Sequence, residues 1–92
     1  MKKAVLNYRV IIEPEIDQLT GKTVYTAYAP KLGVADWGKT VEKSLENIRE
    51  AIECYLESLI KHKKSIPAED TSDYMVANTR ISLSGGLRIT FA

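Results

Sequence analysis

The chain has 92 residues, with 13 basic and 12 acidic side chains, one histidine and one cysteine. That near-neutral balance excludes a domain that tracks phosphates by bulk charge, and a lone cysteine excludes an internal disulfide or a cysteine-rich metal site within one chain. No apolar run is long enough to span a bilayer and the start, Met1-Lys2-Lys3-Ala4-Val5-Leu6, passes into alternating residues, so one soluble, cytoplasmic domain with no membrane association is expected.

The first element is read from parity. Leu6, Tyr8, Val10 and Ile12 are apolar at even positions while Asn7, Arg9 and Glu13 share the other face, which predicts a half-buried strand over residues 6–12. Residues 14–22 break the pattern, with a turn expected at Thr20-Gly21-Lys22, and extended character resumes over residues 23–29 through Val24, Tyr25 and Tyr28. These two strands should form an antiparallel hairpin. Pro30 then removes a backbone donor, Gly33 and Gly38 permit turns, and Val34-Ala35-Asp36-Trp37 between them has room for a short third strand.

Thr40 is the expected N-cap of a long helix. Val41, Leu45, Ile48, Ile52, Tyr55 and Leu59 alternate at four- and three-residue intervals, which puts them on one stripe, and Lys61-His62-Lys63-Lys64 supplies the cationic last turn that the helix dipole favours. Ser44, Asn47, Ala51, Cys54 and Ser58 form a small-residue strip beside the stripe, read either as an approach path for another backbone or as boundary residues. Pro67 stops the helix. Residues 68–92 are expected to be a C-terminal extension: a polar connection over 68–73, a fourth strand with Met75, Ala77, Ile81 and Leu83 on one parity, a turn at Ser84-Gly85-Gly86, and a fifth strand over residues 87–91. The expected class is α+β, an antiparallel sheet with one long helix packed on it in the order β-β-β-α-β-β.

Tyr28, Pro30, Gly33, Gly38, Thr40, Leu45, Asn47, Ile48, Glu50, Ala51 and Ile52 together resemble the HicB-like antitoxin family: a strand, a Pro-x-x-Gly turn, a short segment ending in Gly-x-Thr, and a helix of the form Leu-x-x-Ile-x-x-Ala-Ile. The resemblance covers residues 8–67. It departs from the usual pattern at Trp37, where a polar residue is commoner, and at Lys43-Ser44, which replace a Glu-Ala pair. It implies a partial ribonuclease H-like fold, a single HicB-like domain over residues 1–92, and a partner, a HicA-type RNA-cleaving toxin that the domain binds and occludes. Family members that bind operators add a helix-turn-helix or ribbon-helix-helix module, for which this tail has no room, so DNA binding is not expected.

An enzyme needs converging donors, acceptors or nucleophiles. His62 sits in a lysine-rich helix end and Cys54 on the helix's less apolar side, neither with an identifiable partner, and of the acids only Glu13 and Asp36 are placed toward a sheet site, too few for two-metal nuclease chemistry. A non-catalytic protein without cofactor or metal is expected. Trp37 is a core plug or an interface anchor, and both readings stay open. Glu42, Glu46, Glu50, Glu53 and Glu57 line one helix face, either as a solvated ridge or as a surface for a basic partner. The expected partner-binding residues are Tyr28, Pro30, Asp36 and Trp37, with Glu46 and Glu50 as electrostatic contributors. Leu87, Ile89 and Phe91 are the expected interface of a homo-oligomer, a dimer or tetramer, because a domain of this size has apolar surface to spare and the last strand carries little charge. Two other readings stand beside the antitoxin: an RNA-binding module that stacks bases on Tyr25, Tyr28 or Trp37 with Lys61, Lys63 and Lys64 on phosphates, and an oligomeric small-ligand-binding protein.

Overall fold

Alternating side chains and two tight turns fold the middle of the chain into a three-stranded antiparallel sheet. The computed structural model describes residues 4–71 and 75–92, in the order β1 (Ile11–Ile16), β2 (Thr23–Ala29), β3 (Val34–Gly38) and α1 (Val41–Lys61), with sheet order β1-β2-β3. The β1–β2 connection closes at Gly21, φ 70°, whose N–H donates to the Asp17 carbonyl at 2.7 Å, while Asp17 N–H donates to the Lys22 carbonyl at 2.8 Å. The β2–β3 turn folds over Ala29, whose carbonyl accepts from Leu32 N–H at 3.2 Å and Gly33 N–H at 2.9 Å; Gly33 takes the left-handed conformation, φ 68°, that other residues avoid.

β1 begins later than parity suggests. Residues 4–10 are not part of the ladder, and the strand continues through Pro14, where the sequence reads as a break. Pro14 is tolerated because β1 is an edge strand, where a proline can sit without taking a donor from the sheet interior. The parity itself holds, since Tyr8, Val10 and Ile12 all pack against the core of Ala27, Ala29, Leu32 and Ile48.

Thr40 caps α1, its hydroxyl accepting from Lys43 N–H at 3.0 Å. The helix lies on the sheet face that carries Ala27 and Ala29. Its buried line runs through Ser44 and Ile48, with Asn47, Ala51, Ile52, Leu56 and Leu59 half-buried, whereas Val41, Leu45 and Tyr55 of the expected stripe are 38–43% exposed. The small strip does admit a backbone at one end: a Cβ on Gly38 would stand 2.5 Å from Ser44 N and 2.8 Å from Lys43 C, so the end of β3 meets the first turn of α1 backbone to backbone. Cys54 and Ser58, at the other end of the strip, are exposed. At the C-terminus Lys63 is left-handed, φ 56°; its N–H donates to the Ile60 carbonyl at 3.0 Å and Lys64 N–H to Leu59 at 2.9 Å, a Schellman closure with lysine where glycine is usual. Among the described residues no helix is long and apolar enough to cross a membrane.

Beyond the helix the chain departs from expectation. Residues 67–71 are strapped to residues 7–9: Tyr8 Oη donates to the Pro67 carbonyl at 2.6 Å, Asn7 N–H to Glu69 Oε1 at 2.6 Å, Arg9 N–H to Asp70 Oδ2 at 2.7 Å, and Asp70 N–H to the Asn7 carbonyl at 3.1 Å. Ser72 and Asp73, the end of the expected polar connection, lie outside the described residues. The fourth and fifth strands are not formed: among the described residues no strand follows α1, and residues 75–92 are all exposed. The turn chemistry is present, with Gly85 and Gly86 both at positive φ, 96° and 63°, but an isolated two-stranded hairpin is marginal without a face to pack on. The Cα radius of gyration is therefore 18.2 Å, where a compact chain of this length has about 12 Å.

Candidate functional site

Register decides which side chains share a surface. Directly opposed residues of an antiparallel ladder point to the same face. Ile12 pairs with Ala27 and Ala27 with Asp36, so these three belong to the helix side; Ile11, Tyr28 and Ala35 form one row of the open side, Glu13, Thr26 and Trp37 the next, and Glu15 with Val24 a third. The open face therefore carries Ile11, Tyr28 and Trp37, exposed by 42%, 43% and 53%, with Glu13 and Glu15 along the β1 edge. It is an apolar, aromatic patch with carboxylates on one border. Trp37 is thus on the surface and not a core plug.

The expected partner-binding residues do not converge. Tyr28 and Trp37 share the open face, and Pro30 is exposed in the adjoining turn. Asp36 alternates to the helix side, half-buried, where its Oδ1 accepts from Trp37 N–H at 2.8 Å. Glu46 and Glu50 lie on α1, across the sheet from Tyr28 and Trp37, and Glu46 pairs with Lys43 at 3.5 Å. One neighbour holds the tryptophan segment in place: Asn47 Nδ2 donates to the Trp37 carbonyl at 2.8 Å. Tyr25 also faces the helix, away from Tyr28, so the three aromatic residues considered for base stacking are split between faces. Ile11, Glu13 and Glu15 belong to the patch; Glu15 escapes the sequence because residues 14–22 read as a break in the strand, and Glu13, legible as a residue of the strand's polar face, is not marked there as a binding residue.

A second concavity lies on the helix side. Residues 4–10 and α1 enclose a groove of about 800 Å³, floored by Val5, Leu6, Leu45, Ile52 and Leu56 and edged by charged residues of the helix. His62 is a helix cap, its ring Nδ1 donating to the Ser58 carbonyl at 2.8 Å. Arg9 and Asp70 form an ion pair at 3.3 Å between side chains 25% and 16% exposed. Partial burial first, and then the Glu69 and Asp70 carboxylates, raise the pKa of the Tyr8 hydroxyl above its ordinary value. Among the described residues no three His, Cys, Asp or Glu side chains come together in a metal-binding geometry.

The chain is 42% identical over 69 residues to a UPF0150 protein of Synechocystis sp., covering 74% of this chain and 81% of the relative. It is 38% identical over 72 residues to a UPF0150 protein of Thermoplasma acidophilum, covering 77% of this chain and 97% of the relative. No family model matches, and no solved structure matches.

Proposed function

This chain belongs to the UPF0150 family, and from that premise we propose that it is a HicB-like antitoxin, a non-catalytic domain of partial ribonuclease H-like fold that binds a small, basic, HicA-type RNA-cleaving toxin and keeps it from RNA. The observation that carries this reading is the open sheet face, where a half-exposed tryptophan and tyrosine lie side by side with two glutamates. Large aromatic side chains with an apolar neighbour make strong anchors in protein interfaces. Glu13 and Glu15 suit a basic partner and speed its approach, while the same carboxylates repel nucleic acid phosphates. That sign of charge favours a protein partner over the RNA-stacking reading.

The test is co-expression with the small open reading frame beside the gene, read by growth rescue and by co-purification. A stable complex that restores growth is expected, and Trp37→Ala should weaken it about 30-fold or more, the loss typical of an interface hot spot. Because Trp37 is the only tryptophan, its fluorescence should shift to the blue on binding. Rescue by a complex in which Trp37→Ala binds as tightly as the native chain would remove the open face from the mechanism; a neighbour that is neither toxic nor bound would remove the antitoxin reading itself.

A further inference from the structure

We propose that the C-terminal arm, residues 75–92, of one copy lies in the apolar groove between residues 4–10 and α1 of a second copy, so that two chains exchange arms. The arm is built to be covered. Met75, Ile81, Leu83, Leu87, Ile89 and Phe91 fall on a single parity and are 60–90% exposed, and glycines at positive φ already bend the backbone at 85–86. A hairpin of this kind gains its ladder only when its apolar side has a surface to rest on.

The groove supplies that surface with matching chemistry. Its floor is aliphatic, and Glu42, Glu46 and Glu53 outnumber Arg49 along its edge. The arm carries Arg80 and Arg88 and no acidic residue. Apolar side chains against an apolar floor, with two guanidinium groups over a net negative edge, make the pair complementary in polarity and charge. The arm's root, residues 67–71, is fixed to residues 7–9, yet no residue of the arm lines the groove and residues 75–92 are all exposed. Each copy thus presents one unfilled groove and one uncovered arm, the condition for a closed two-fold pair. At roughly 100 Å² per apolar side chain, two arms would cover about 1,200 Å² of their own surface before either groove is counted, within the range of stable interfaces.

This pairing is on the helix side and needs nothing from the open face, so it is measured on the purified full-length chain without any partner. Sedimentation equilibrium should give twice the chain mass of 10.3 kDa. The arm variant Ile89→Asp/Phe91→Asp and the groove variant Leu45→Asp should each give the single-chain mass, with circular dichroism reporting native helix content. Mixing the two variants should restore a species of twice the mass, since one intact arm still meets one intact groove. A native chain of single mass overturns the proposal, whether its arm is protected from proteolysis, by folding onto its own groove, or is cut freely. So does a dimer that survives the arm variant, or two folded variants that stay single when mixed.

Discussion

One methyl group added at Gly38 tests the closest backbone approach in the molecule. Gly38 is not at positive φ, so Gly38→Ala introduces no conformational strain, only contact. The new Cβ would lie 2.5 Å from Ser44 N, 2.8 Å from Lys43 C and 3.0 Å from Ser44 Cα, all backbone atoms that cannot swing aside. Ordinary contact requires the first turn of α1 to retreat from β3 by roughly 1 Å. Overpacking of that kind costs about 1–3 kcal/mol, and the retreat stretches the 2.8 Å bond from Asn47 Nδ2 to the Trp37 carbonyl, whose loss adds about 1 kcal/mol. The expected destabilisation is about 2–4 kcal/mol, read as a shift of the urea midpoint with unchanged slope. Gly33→Ala is the control. A Cβ there meets nothing within 4 Å, so only the left-handed backbone at φ 68° is penalised, at about 1–2 kcal/mol. A Gly38→Ala variant no less stable than Gly33→Ala would show that the strand end and helix start are not in backbone contact.

Thr40→Ala removes the hydroxyl that accepts from Lys43 N–H and should cost about 1 kcal/mol in the same assay. Lys63→Gly relieves the left-handed lysine of the helix end and should stabilise the protein by about 0.5–1 kcal/mol; a destabilised variant would show that the lysine side chain contributes more than its backbone costs. The Tyr8 hydroxyl gives a pH dependence of known sign. Its folded pKa is raised, so as pH climbs the unfolded chain loses the proton first; the stability tied to the protonated hydroxyl is complete below about pH 10 and is lost as pH rises through the folded value. Denaturation midpoints followed through that alkaline window should fall more steeply for the native chain than for Tyr8→Phe, and parallel curves would contradict the assignment.

Local chemistry is what the sequence determines here. The turn residues Gly21 and Gly33, the Thr40 cap and the parity of Tyr8, Val10 and Ile12 depend on neighbours within a few positions and are legible in the order of residues, whereas α1 ends at Lys61 on a left-handed Lys63, short of the cationic turn expected over 61–64 and of Pro67. Asp36 and Trp37, grouped together in the sequence as partner-binding residues, are separated by the register of β3 against β2. Which side the helix covers is a tertiary matter: it places Asp36 under the helix, leaves Trp37 beside Tyr28 in the open, and sends Glu46 and Glu50 to the far side of the sheet. The strand through Pro14 depends on β1 having no neighbour on one side, and the burial of Ser44 in place of Val41 depends on how closely Gly38 lets β3 approach. The C-terminal pattern shows the division most plainly. Residues 75–91 carry the alternation and the glycine turn of a hairpin, yet two strands hold a ladder only against a surface, and residues 75–92 stay exposed instead of covering the apolar groove beside α1.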